Sequence, residues 1–132
     1  MRTLFLTVVL SGLAGNAAAE WTLISEGANN NLYADFATVR RSGGNVKVWT
    51  LSDRAKATMS PGNPAKTYRS MVTLQEVDCS DEKMRALQLT TYENGMGAGK
   101  QLDFATRANN PSWQYAEPGT VAEDVVKAVC KK

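Results

Sequence analysis

The sequence predicts an α+β fold: a small antiparallel β-sheet with a C-terminal α-helix packed on one face and pinned by a disulfide. Three observations predict it. Most of the chain is a series of β-branched and aromatic runs separated by Gly, Asn and Pro clusters. After Thr120 the apolar spacing becomes helical. The only two cysteines, Cys79 and Cys130, fall at the end of a predicted strand and at the end of that helix.

The first 19 residues of the 132-residue chain read as a secretory leader. Arg2 supplies the positive start, an apolar run extends from Leu4 to about Ala14, and Ala17-Ala18-Ala19 offers small residues at a cleavage site. Cleavage there makes Glu20 the mature N-terminus. The apolar run is too short to span a bilayer, which takes about 20 residues. No cysteine follows it, so lipid attachment at a new N-terminal cysteine is not expected. The mature part, residues 20–132, has the length of one domain.

The strands follow in order. Trp21 to Ser25 is a short β-prone start, ended by Gly27 and the run Asn29-Asn30-Asn31. Residues 32–39 and 46–51 are expected to pair as a hairpin about Gly43-Gly44. Residues 53–66 read as a loop, because Pro61 and Pro64 flank Gly62-Asn63 and proline cannot donate to a central ladder. A long strand is expected over 67–79 and its partner over 84–92, joined by a turn at 80–83. Residues 93–99 form a glycine-rich reversal before a last strand over 100–106.

The tail changes character. Thr120-Val121-Ala122-Glu123 fits a capping box, in which the Thr120 hydroxyl accepts from the Glu123 amide and the carboxylate reaches back. Val121, Ala122, Val125, Val126 and Val129 then share one helical face, while Asp124 and Lys127 share the other. Valine is a mediocre helix former, so packing on the sheet must hold this helix.

Composition narrows the function. The net charge is only +2, and Arg2 of the leader contributes one of those charges. Nucleic-acid binders carry a clustered basic excess, so none is expected here. The chain has no histidine, the commonest general base and metal ligand. Two thiolates alone cannot complete a zinc shell, and an exported even pair is most simply a disulfide, Cys79–Cys130. No cofactor is expected. Glu76 and Asp78 stand two apart on a strand and share a face, a geometry open to glycoside hydrolysis but common on solvated sheets. Gly95 to Lys100 looks superficially like a phosphate loop, but it is one residue short and Gln101 replaces the required Ser or Thr. Trp21, Trp49 and Trp113 read as packing residues rather than as a ligand cage. Arg54, Lys56, Lys66 and Arg69, opposed only by Asp53, are the candidate contact residues for a protein or polyanionic partner.

Several stretches, taken in order, resemble the surface-adhesin E-like family of Gram-negative bacteria. They are Leu32-Tyr33-Ala34-Asp35, Val46-Lys47-Val48-Trp49-Thr50-Leu51, Tyr68-Arg69-Ser70 and Asp78-Cys79, then Arg85, Tyr92 and Gly95-Met96-Gly97-Ala98-Gly99, and lastly Trp113, Pro118-Gly119-Thr120 and Cys130. The resemblance implies an antiparallel sheet with a terminal helix fastened by this disulfide. It also implies a cell-envelope protein, since the best-known relative binds host extracellular-matrix and serum proteins. Lacking a lipidation cysteine, this chain departs from that relative, which favours a periplasmic station over the cell surface or the medium. The leading expectation is a non-catalytic envelope binding protein. The alternative is a periplasmic structural or assembly factor acting through a strand edge or a sheet face, and a hydrolase using Glu76 and Asp78 ranks third.

Overall fold

Alternation along the strands decides which face of the sheet the helix covers. The computed structural model describes residues 19–60, 63–106 and 111–131, so residues 1–18 of the expected leader and residues 61–62 of the expected loop lie outside the described residues. Six strands lie side by side in chain order: β1 (Thr22–Glu26), β2 (Asn30–Ser42), β3 (Asn45–Ser60), β4 (Asn63–Asp78), β5 (Lys83–Tyr92) and β6 (Gln101–Thr106). All neighbours are antiparallel, and the short β7 (Gln114–Tyr115) pairs with the start of β5. The helix α1 spans Val121–Cys130.

Val46, Val77 and Met84 stand opposite one another across β3, β4 and β5. Together with Val48 and Ala34 they meet Val125, Val126 and Val129 of α1 in one buried cluster. Burying each valine stabilises the fold by about 1.5–2 kcal/mol, enough to hold a helix whose propensity is poor. The disulfide joins Cys79, the first residue after β4, to Cys130 across a Cα–Cα distance of 5.7 Å. Beside it, Arg41 Nη2 donates to the Val129 carbonyl at 3.4 Å.

At the other end of α1 the Glu123 amide donates to Thr120 Oγ1 at 3.4 Å, which is the first half of the expected capping box. The second half differs. The Glu123 carboxylate takes Lys127 Nζ at 3.0 Å and a backbone bond at Gly119, while the Thr120 amide donates to the Glu117 carbonyl. The reach-back therefore lands one residue earlier than a capping box requires. The Lys127 ammonium, then the Gly119 bond, holds the Glu123 carboxyl below its ordinary range.

The 53–66 loop is corrected. β3 continues to Ser60 and β4 begins at Asn63, making a two-stranded ribbon that extends past the ends of β2 and β5. Register breaks between Asp53 and Thr58, so residues 54–57 bulge where Arg69 alone stands opposite. A ribbon end has no second neighbour, so a proline amide is not missed there, and the sequence argument against a central strand does not apply. The ribbon then leans on β6: Ser60 Oγ donates to Asp103 Oδ2 at 2.6 Å.

The face opposite α1 carries the 93–99 reversal, as expected from its glycines. Ser70 Oγ donates to the Asn94 carbonyl at 2.6 Å and accepts from the Gly97 amide at 2.8 Å, while the Met96 amide donates to Asp53 Oδ1 at 3.0 Å. Gly97 has φ +70°, and a Cβ there would stand 3.4 Å from Leu51 Cδ1. The reversal therefore seals Leu51, which is fully buried.

Candidate functional site

Three surfaces follow from this arrangement. The first is the ribbon. Arg54 and Lys56 lie on the 54–57 bulge of β3, and Lys66 and Arg69 on β4. The structure brings Arg54 and Arg69 together, because Arg69 Nε donates to the Arg54 carbonyl at 3.0 Å. The Arg54 guanidinium lies over the Tyr68 ring, 5.6 Å from its centre, and its Nε is buried without a partner. These two arginines thus build the bulge as well as charge it. Lys56 is exposed. Lys66 reaches Asp103 at 3.8 Å with half of its side chain exposed, an ion pair weak enough for a partner to displace.

The second surface lies at the β4–β5 turn. Glu76 and Asp78 share a face as expected, but each carboxylate is engaged. Glu76 Oε1 accepts from Arg85 Nε at 2.6 Å, and the same guanidinium lies 4.2 Å from the centre of the Trp113 ring. Asp78 Oδ1 accepts from the Ser80 and Asp81 amides at 3.0 and 3.1 Å, while Lys83 stands 4.0 Å from Oδ2. Lys83 also lies over the Trp113 and Tyr115 rings. The arrangement clamps the turn and the 111–115 segment to β5. Trp113 is accordingly a packing residue, as its sequence reading expected.

The third surface is a groove of about 710 Å³ on the sheet face away from α1, lined by Trp21, Asp35, Trp49 and Tyr92 among others. Asp35 and Trp49 are direct cross-strand partners. Sequence reading named Asp35 and Tyr92 only within the family resemblance and not as contact residues. The available signal was a β-averse aspartate inside a strand, opposite a tryptophan. A groove of similar size, about 700 Å³, lies on the other face beside the start of α1. Thr50, which lines it, is bonded to the Thr73 carbonyl, and Ser52 to the Asn30 side chain. No group of three or more side chains able to hold a metal occurs among the described residues, and no helix there is long and apolar enough to cross a membrane.

Fold and surfaces define a class: a disulfide-locked antiparallel meander with a terminal helix on one face and a projecting basic ribbon. The family of surface-adhesin protein E matches residues 21–131, and the chain belongs to that family. Solved structures agree on the fold. Protein E of Haemophilus influenzae superposes with a TM-score of 0.64 at 13% identity, covering 88% of this chain and 87% of that one. A second crystal form gives 0.61 at 14% identity, with 86% and 94% covered. Protein E from non-typeable Haemophilus influenzae gives 0.61 at 16% identity, with 90% and 82% covered. No curated protein matches the sequence significantly.

Proposed function

We propose that this chain is an exported, non-catalytic binding protein of the bacterial envelope that engages a protein or polyanionic partner through the β3–β4 ribbon. The observation that carries the reading is the family match over residues 21–131, whose description is a surface adhesin. That description draws the proposed station from the periplasm to the outer surface. Residues 1–19 are the leader, and residues 20–132 work as one domain. On the ribbon, Lys56 and Lys66 meet the partner, while Arg54 and Arg69 shape the bulge and add to its positive field. Such a contact is screened by salt, because exposed charges lose reach as the Debye length shrinks to about 8 Å at physiological ionic strength.

Retention on immobilised heparin and on a matrix-protein preparation tests this. Binding is expected to weaken with added salt and to fall at least about fivefold in Lys56→Ala/Lys66→Ala, whose fold should be unchanged because both residues are exposed. Salt-insensitive binding, or none at low salt, counts against the ribbon.

A second reading, assembly through an open strand edge, is favoured by β6. It is last in the spatial order, and Phe104 is 57% exposed. Co-purification with an envelope protein, without affinity for heparin or matrix, would select it.

A further inference from the structure

The groove opposite α1 collects features that neither the core nor the ribbon uses. Three aromatic side chains, Trp21, Trp49 and Tyr92, line it from the N-terminal segment, β3 and β5. All three are half-buried, so their rings keep exposed surface. The Asp35 carboxylate lines the same groove although the residue is only 5% exposed. Its Oδ1 accepts from the Ala37 amide at 3.1 Å, and no lysine or arginine pairs with it among the described residues. The one sealed and unpaired side-chain nitrogen or oxygen there is Arg54 Nε, so the other Asp35 oxygen opens to the groove. The charged side chains that line the groove are Glu20 and Asp35, both acidic, and cleavage after Ala19 adds the Glu20 α-ammonium beside them.

A buried carboxylate without a lysine or arginine partner, walled by aromatic rings, is complementary to an organic cation. The available hydrogen-bonding groups narrow the class. Thr38 Oγ1 is already used twice, donating to the Asp35 carbonyl and accepting from the Trp49 amide. A primary ammonium brings three donors that need acceptors, whereas a quaternary ammonium brings none. We infer that this groove binds a small quaternary ammonium of choline size, with its methyl groups against Trp21, Trp49 and Tyr92 and its charge facing Asp35. This site is independent of the basic ribbon, which would repel such a ligand.

The indole N–H signals of the exported protein provide the test. Trp21 and Trp49 line the groove, while Trp113 lies against Arg85 elsewhere and serves as an internal control. Choline is expected to shift the Trp21 and Trp49 signals and leave Trp113 in place. Its neutral carbon isostere, 3,3-dimethylbutanol, is expected to shift neither at the same concentration. Asp35→Asn keeps the acceptor for the Ala37 amide and should weaken choline binding by about tenfold or more. Sedimentation with phosphatidylcholine vesicles separates the sources: binding of free choline alone assigns a soluble ligand, and co-sedimentation assigns a displayed headgroup. Silence of both groove indoles toward choline, or equal shifts with the neutral isostere, overturns the inference without any variant having to fold.

Discussion

At the scale of single residues, charge is used more for construction than display. Glu76 and Arg85 show it best. Their side chains are 11% and 18% exposed, and the Arg85 guanidinium also donates to the Pro111 carbonyl and covers Trp113. Arg85→Ala strands a mostly buried carboxylate, so urea unfolding should show a loss of about 3 kcal/mol. An effect below about 0.5 kcal/mol would place the pair among ordinary surface bridges. Glu123 makes a second case. Its folded carboxyl titrates below its ordinary value of 4.5, chiefly through Lys127, so the stabilisation is present above that value and is lost as pH falls through the lowered one. Lys127→Ala should lower the thermal midpoint slightly at neutral pH and leave it unchanged in acid, where the carboxyl is protonated in either protein, so the acid limb of the profile flattens.

At the scale of elements, two connections decide whether the sheet keeps its shape. Gly97→Ala forces a side chain into φ +70° and against Leu51, so it should cost about 1–2 kcal/mol by denaturant unfolding. The reversal it disrupts also anchors Ser70 and Asp53, so amides of the neighbouring bulge should exchange faster in the variant. The second connection is the disulfide. It closes a separation of 51 residues, for which the chain-entropy account gives about 4 kcal/mol. Unfolding with and without reductant should differ by that order, with the helix signal lost first. Reduction without effect on stability would mean that the valine contacts alone hold α1.

At the scale of the whole molecule, the sheet, the terminal helix and the bridge were legible because each has a local signature. Gly43-Gly44 marks a hairpin whose register closes at Ser42 and Asn45, Val125, Val126 and Val129 mark a buried helix face, and Cys79 and Cys130 mark its anchor. The ribbon was not legible, because Pro61 and Pro64 signal a break while pairing on an isolated ribbon depends on which neighbours are absent. The surroundings of the four basic residues were not legible, since Arg54 meets Tyr68 and Lys66 meets Asp103 from other strands. Asp35 was missed because a groove is a property of β2, β3 and β5 together. The helix covers one sheet face, and the proposed contact surfaces lie on the other face and on the ribbon. The proposed binding role requires the protein to be exported and reachable by its partner. Protease treatment of intact cells, followed by sequencing the released chain, tests that most directly. The account predicts a chain that starts at Glu20 and is cleaved without breaking the cells. A chain that retains residues 1–19, or that is cut only after lysis, would contradict it.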